Sequence, residues 1–200
     1  MAEPIDFYFD FTSPYSYFAG EMIDALAARH GREVRWHPVL LGVIFKWLGS
    51  QSLVNQPGMN DYSLRDFARS ARFYGLEFKM PTRFPVSTVS AARAFYSLEE
   101  QTPVIAVSFA KACFRGYFVD GVDISDKAVL DSLLGSIGVD ALAVSNRMAT
   151  DRIKEKVRRE TDSAIALGMF GAPWIVVDGE PFWGADRLQQ IDRWLGEGGF

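Results

Sequence analysis

The sequence predicts an α/β protein in which both ends of the chain contribute to one sheet and a large all-helical block is inserted between them. Polar and apolar residues alternate from Ile5 to Phe11, which is the period of a strand with one buried face. Two short apolar runs flank Asp178-Gly179 near the C-terminus, a pattern typical of a hairpin. Residues 39–149 contain helical periodicity and no convincing strand. With 200 residues, 48% of them hydrophobic, the chain is long enough to bury a core without disulfides.

The first forty residues predict a βαβ unit. After the strand from Ile5 comes a helix over Pro14–His30, which Gly31 can end in the left-handed conformation. Val34 and Trp36 then alternate with charged residues and predict a second strand. A strand, a helix and a strand in this short span predict two parallel strands with a right-handed crossover.

The last fifty residues predict a helix, an antiparallel hairpin and a final helix. The first helix runs over Thr150–Leu167, and the hairpin strands are Trp174–Val177 and Pro181–Trp183. Asp186 is expected to cap the final helix, because a side-chain oxygen at this position can accept from the free amides of the first turn.

The middle of the chain is predicted to be helical. Two polar connections in it, Gly49–Asp61 and Lys79–Thr88, are expected to be mobile covers over a site. We therefore assign residues 1–38 and 150–200 to the domain with the sheet and residues 39–149 to a helical insertion domain. The predicted helices of the insertion are Leu41–Leu48, Ser63–Tyr74, Thr88–Leu98, Pro103–Phe118, Lys127–Ile137 and Ala141–Arg147.

Composition excludes several classes of protein. The net charge of −4 argues against a dedicated binder of nucleic acid or anionic membranes, which needs a basic face. A single cysteine, Cys113, excludes an intrachain disulfide, a CxxC redox pair and a thiolate zinc site, and no metal site is expected. The N-terminus has neither the basic start nor the apolar block of a signal peptide, so a cytoplasmic location is expected.

Ser13, Pro173 and Lys46 each have two interpretations. Ser13-Pro14 is a common way to begin a helix, but it also places a hydroxyl where a helix N-terminus favours negative charge. Pro173 is either an ordinary first residue of a strand or a cis-proline. Lys46 either covers apolar surface with its stem or supplies a cation to an aromatic pocket. The residues around Ser13 do not form Gly-x-Ser-x-Gly, and the chain has two histidines, His30 and His37, neither suitably placed for a triad.

Two parts of the sequence together resemble the 2-hydroxychromene-2-carboxylate isomerases, relatives of kappa-class glutathione transferases and of the DsbA group. The first is Phe9–Tyr17, FDFTSPYSY. The second comprises Gly168–Trp174, GMFGAPW, and Asp178–Leu188, DGEPFWGADRL. The resemblance implies a thioredoxin-like domain with a helical insertion, in which Pro173 is cis and lies beside Ser13.

The resemblance also implies the site. Ser13 would be catalytic and would stabilise the thiolate of glutathione, whose sulfur takes the place of an attacking cysteine. Glutathione would be held by Ser13, Ala172, Pro173, Trp183, Gly184, Ala185 and Asp186. The substrate would contact Lys46, Asn55, Gln56 and Phe84. At Gln56 and Phe84 the chain departs from a family member that has Arg and Tyr there, so the substrate itself stays open.

The predicted function is a glutathione-dependent isomerase that interconverts 2-hydroxychromene-2-carboxylate and trans-o-hydroxybenzylidenepyruvate, or a close aromatic analogue, by reversible thiolate addition. The alternatives are a kappa-like glutathione transferase and a non-catalytic module that binds glutathione or a peptide. The expected partner is a small aromatic acid from aromatic hydrocarbon catabolism, with no nucleic acid and no membrane. Whether the protein forms a homodimer is left open.

Overall fold

The computed structural model describes residues 3–200, and this range holds four β-strands and nine α-helices. The strands are β1 (Ile5–Phe9), β2 (Val34–Pro38), β3 (Trp174–Val177) and β4 (Glu180–Trp183). The helices are α1 (Pro14–Arg29), α2 (Leu41–Trp47), α3 (Asn60–Tyr74), α4 (Val89–Glu99), α5 (Pro103–Arg115), α6 (Lys127–Ser136), α7 (Ala141–Met148), α8 (Asp151–Ala166) and α9 (Leu188–Glu197). Single 3-10 turns occur at Leu53–Asn55 and Ala185–Arg187, and α5 continues into a π-helical turn at Gly116–Asp120.

The four strands form one sheet in the order β2-β1-β3-β4. β1 pairs with β2 in parallel, with Phe7 opposite Trp36, and pairs with β3 in antiparallel fashion, with Phe7 opposite Ile175. β3 and β4 form the predicted hairpin, in which Ile175 lies opposite Phe182. The predicted fold class is therefore confirmed: both ends of the chain share one sheet, and α2–α7 lie between them in sequence. The domain boundaries at 38/39 and 149/150 stay a prediction.

Aromatic side chains pack the helical region against the sheet. The ring of Phe9 lies 5.4 Å from that of Trp36 and 5.5 Å from that of Phe114 on α5. α1 approaches the same cluster closely at Gly20, where a Cβ would lie 3.0 Å from the Trp36 ring. This packing fixes the start of α1 relative to the end of β1, because both elements belong to one buried core.

Several predicted helix ends are shifted by one to three residues in the structure, and two further predicted features differ for reasons that the structure shows. β1 ends at Phe9, although the alternation continues to Phe11, because Asp10 turns its carboxylate back onto the amide of Thr12. Asp186 does not cap the last helix, and that prediction was wrong. It lies inside the 3-10 turn, its carboxylate folds towards Gly184, and α9 begins at Leu188 without a side-chain cap.

A cluster of charged side chains joins β1 and β2 to α8, and we call Asp6, Arg35, His37, Lys156 and Glu160 the His37 cluster. The His37 ring lies between two carboxylates, with Nε2 2.9 Å from Asp6 Oδ1 and Nδ1 3.1 Å from Glu160 Oε2. Arg35 also contacts Asp6 at 2.7 Å, and Lys156 contacts Glu160 at 2.8 Å.

The protonation of the His37 cluster follows from its contacts. Burial opposes the charged imidazolium, but the hydrogen bonds to Asp6 and Glu160 outweigh it and raise the pKa of His37. Burial likewise opposes the Glu160 carboxylate, yet its bonds to His37 and Lys156 lower the pKa of Glu160 to about 2. The cluster therefore pairs opposite charges between the sheet and α8.

None of the helices within residues 3–200 combines the length and the apolar character needed to span a bilayer.

Candidate active site

A cavity of about 340 Å³ lies at the start of α1, and we call it the Ser13 cavity. Both connections that were predicted to cover a site contribute to its wall, through Gln51–Leu53 with Gln56 and through Phe84–Thr88. Most of the wall is apolar, so the cavity suits a hydrophobic or aromatic ligand. The apolar side chains are Pro14, Leu40, Leu41, Val43, Phe45, Leu53, Phe67, Phe84, Pro85, Val86, Val89, Ala172 and Trp183.

Ser13 is both a helix cap and a wall residue of the cavity. Its Oγ accepts a hydrogen bond from the amide of Ser16 at 3.1 Å, which is the predicted capping interaction. The same hydroxyl donates to the carbonyl oxygen of Ala172 at 2.9 Å. No acidic residue occurs in the first turn of α1, so its own side chains do not neutralise the positive end of the helix. The two interpretations of Ser13 are thus compatible.

The Ala172–Pro173 peptide bond is cis, as the resemblance implied, and it lies beside Ser13. The amide of Gly184 donates to the carbonyl oxygen of Pro173 at 3.0 Å, which ties this loop to the end of β4. Gly171 allows a close approach here, since a Cβ would lie 2.5 Å from the indole nitrogen of Trp183 and would force that side chain to shift. The loop, the helix start and the end of β4 therefore form one continuous surface.

Some of the residues predicted to bind glutathione lie at this surface. Ala172 and Trp183 line the cavity together with Ser13, and the Trp183 side chain is 46% exposed. Ala185 is buried, whereas Asp186 is exposed and contacts Arg187 at 3.2 Å.

The four residues predicted to contact the substrate separate into two pairs. Gln56 and Phe84 line the cavity, and the Gln56 amide donates to the carbonyl oxygen of Gln51 at 2.7 Å. Lys46 and Asn55 are exposed and do not line it.

Sequence reasoning missed Asp10, a wall residue of the cavity that is 2% exposed. Its Oδ1 accepts from the amide and hydroxyl of Thr12 at 2.8 and 2.7 Å. Its Oδ2 accepts from the amide of Leu41 at 2.8 Å and from the hydroxyl of Thr88 at 3.2 Å. Burial raises the pKa of Asp10 and these bonds oppose the increase. The sequence does contain a signal for this role: an acidic residue, Asp10, ends an apolar strand and is followed two residues later by Thr12, whose amide and hydroxyl can donate to it.

The described cavity wall offers a hydroxyl but no imidazole or thiol. His30 lies 2.7 Å from Asp192 at the far end of α1, and His37 belongs to the His37 cluster. Cys113 is fully buried in α5, where burial raises the pKa of its thiol. The Ser13 hydroxyl donates to Ala172, and the oxygens of Asp10, the carboxylate of this wall, accept from other donors, so these residues do not pair Ser13 with a base as a serine nucleophile requires.

The chain is similar to known proteins along nearly its whole length. A family model described as a DSBA-like thioredoxin domain matches residues 4–196. A 2-hydroxychromene-2-carboxylate isomerase from Sphingobium xenophagum is 28% identical over 197 residues, covering 98% of this chain and 99% of the relative. Glutathione S-transferase kappa 2 from Caenorhabditis elegans is 28% identical over 214 residues, covering 96% of this chain and 92% of the relative.

A solved structure of a 2-hydroxychromene-2-carboxylate isomerase superposes with a TM-score of 0.85 at 25% identity. The match covers 96% of this chain and 94% of that one. The resemblance read from the two signatures is thereby confirmed, and so is the prediction of an enzyme of the isomerase type.

Proposed function

The chain belongs to the DSBA-like thioredoxin family, and from that premise we propose that it is a glutathione-dependent isomerase of conjugated aromatic compounds. The observation that carries the proposal is the hydrogen bond from Ser13 Oγ to the carbonyl oxygen of Ala172, beside the cis bond to Pro173. It brings a hydroxyl donor, a helix N-terminus and the peptide edge at Ala172 together at one end of an apolar cavity.

The peptide edge supports binding of an extended tripeptide. An N–H of such a ligand can donate to the carbonyl oxygen of Ala172, as a neighbouring strand would. The Ser13 hydroxyl, which holds that oxygen in the structure, is then free to turn towards the cavity and donate to a thiolate. A hydroxyl donor and the N-terminus of α1 both favour the ionised form and lower the pKa of the thiol.

The remaining groups fit the two ends of glutathione. The indole of Trp183 offers an apolar surface next to Ala172, and the exposed Asp186 carboxylate can pair with an ammonium group. Bound glutathione would supply a sulfur that bonds to one carbon of a conjugated double bond, lets the resulting single bond rotate, and leaves again so that nothing is consumed. The apolar walls would hold the aromatic part of the substrate and exclude water.

The proposal is tested with the substrate in the name of the isomerase relatives, 2-hydroxychromene-2-carboxylate, or with a close aromatic analogue. The expected product of the first is trans-o-hydroxybenzylidenepyruvate. We expect Ser13→Ala to lower kcat/KM by about tenfold to a hundredfold, which corresponds to losing a hydrogen bond to a charged group of about 1.5–3 kcal/mol. The pH at which bound glutathione ionises, followed by the ultraviolet absorbance of the thiolate, should rise.

Two further variants separate chemistry from stability. Ser13→Gly keeps most of the capping energy but also lacks the hydroxyl, so it should be as inactive as Ser13→Ala. Ser16→Ala is the matched control, because the Ser16 hydroxyl is buried one turn along and has no hydrogen-bond partner. A Ser13→Gly enzyme with wild-type activity would remove Ser13 from the mechanism.

A glutathione transferase is the second candidate, favoured by the match to the kappa-class relative over 96% of this chain. A transferase consumes glutathione stoichiometrically, for example with a chlorodinitroarene, whereas an isomerase returns it. Saturable binding of glutathione without turnover of either substrate would indicate a binding module.

A further inference from the structure

We propose that the preferred substrate of the Ser13 cavity is a conjugated aromatic ketone or aldehyde that carries no carboxylate. The inference rests on the proposed function and narrows its substrate class. It departs from the acid that the resemblance implied, and it follows from the charges on the cavity wall.

The wall, as described within residues 3–200, contains no Lys, Arg or His side chain. Its one ionisable carboxyl or amine is Asp10, whose two oxygens already accept four hydrogen bonds. Asp10 supplies no positive charge whether it is ionised or neutral. A carboxylate taken into this cavity would lose its hydration without meeting a cationic side chain, and the N-terminus of α1 is assigned to the thiolate, so its burial is costly.

The cations nearest in sequence to wall residues are placed elsewhere. Lys46 follows the wall residue Phe45 on α2, but its side chain is exposed and lies outside the wall. Arg83 precedes the wall residue Phe84, but it is exposed and contacts Asp123 at 2.6 Å. Each would have to leave water or an ion partner to reach a bound acid.

The wall does supply neutral hydrogen-bonding groups. Ser52, Gln56 and Ser87 line the cavity, among the apolar side chains described above. Hydroxyl and amide groups suit a ketone oxygen and a phenol, which need donors and acceptors but no counter-ion. A ketone oxygen is also where electrons move when a thiolate bonds to the far carbon of the double bond, and neutral donors can stabilise that charge.

The test compares two substrates that share the ring, the double bond and the ketone. They are the cis forms of o-hydroxybenzylideneacetone, which ends in a methyl group, and o-hydroxybenzylidenepyruvate, which ends in a carboxylate. Formation of each trans isomer is followed with glutathione present. Each kcat/KM is divided by the rate constant for free glutathione alone, which removes the difference in intrinsic reactivity. We expect this ratio to be at least about tenfold higher for the methyl ketone.

Two variants sharpen the result. Gln56→Arg puts a cation on the wall and should shift the preference towards the acid by about tenfold or more. Lys46→Met deletes the exposed cation while keeping the apolar stem, and it should leave the preference within about twofold of the wild type. A fall in turnover of the acid alone in Lys46→Met would show that Lys46 reaches the substrate and would overturn the inference.

The two proposals fail in different ways. Equal or higher normalised turnover of the acid by the wild-type protein overturns the substrate class and leaves the isomerase intact. Absence of glutathione-dependent turnover with both substrates overturns the isomerase, and the inference with it.

Discussion

β1 has a carboxylate near each end, and the two are stabilised in opposite ways. Asp6 lies within the strand and is paired with the cationic groups of Arg35 and His37. Asp10 follows the strand and accepts only from backbone amides and hydroxyls, those of Thr12, Leu41 and Thr88. The carboxylate of Asp6 is therefore paired with cationic groups, whereas the carboxyl group of Asp10 is surrounded by neutral donors.

The different surroundings of Asp6 and Asp10 indicate different roles for the two ends of β1. Paired charges join the sheet to α8 through the His37 cluster, a purely structural connection. Neutral donors around Asp10 come from the starts of α2 and α4 and from the turn before α1, so a single carboxylate fixes three segments around the cavity. Within residues 3–200, the cavity wall also contains no cationic side chain, which bears on what it can bind.

The largest expected effect is that of Asp10→Asn. The amide NH2 of the new side chain replaces one oxygen of Asp10 and therefore faces the two donors that this oxygen accepts from. Each buried group left without a partner costs about 1–3 kcal/mol. We expect a loss of about 2–4 kcal/mol in the free energy of unfolding, measured by urea denaturation at pH 7. A loss below about 1 kcal/mol would mean that Asp10 is already protonated in the folded protein, and the contrast with Asp6 would disappear.

The second prediction concerns the pH dependence of the His37 cluster. The pKa of His37 is raised, so its contribution to stability is complete below the ordinary value of 6.5 and is lost as the pH rises through the folded value. The pKa of Glu160 is lowered to about 2, so its contribution is present above the ordinary value of 4.5 and is lost as the pH falls towards 2. The cluster should therefore stabilise most between about pH 4.5 and 6.5.

Glu160→Gln tests this window. The difference in unfolding free energy between wild type and variant should be about 1–3 kcal/mol inside it and should shrink on both sides. Urea denaturation at a series of pH values measures the difference. A difference that does not vary with pH would show that Glu160 contributes through packing and not through its charge.

The smallest effect is expected for Thr88→Val, which removes one 3.2 Å hydrogen bond to Asp10 and retains the shape of the side chain. The expected cost is about 1 kcal/mol. Thr102→Val is the matched control, since Thr102 is also the N-cap residue of a helix but its side chain makes no capping hydrogen bond. It should stay within about 0.5 kcal/mol of wild type. Equal losses in the two variants would mean that the bond to Asp10 contributes nothing.

Local patterns were enough to predict the sheet and the start of the site. The alternation around Phe7 and the Asp178-Gly179 turn each depend on neighbours in sequence, so they fix β1 and the β3–β4 hairpin. Ser13 was identified as a cap for the same reason.

What the sequence did not predict depends on long-range placement. Whether Lys46 lines the cavity depends on how α2 is rotated against α8 and the sheet, which its own seven-residue pattern does not determine. The role of Asp10 depends on donors from Leu41 and Thr88, which lie 31 and 78 residues away along the chain. The failed cap at Asp186 reflects the turn at Gly184, where φ is +106°.

If glutathione binds as proposed, the hydrogen bond from Ser13 to Ala172 would also favour thiols that carry a peptide backbone. A backbone N–H that donates to the carbonyl oxygen of Ala172 would release the Ser13 hydroxyl for the sulfur, whereas a small thiol without such a donor would leave the hydroxyl on that oxygen. Recognition of the backbone and activation of the sulfur would then be coupled, because a thiol has to satisfy the first to gain the second.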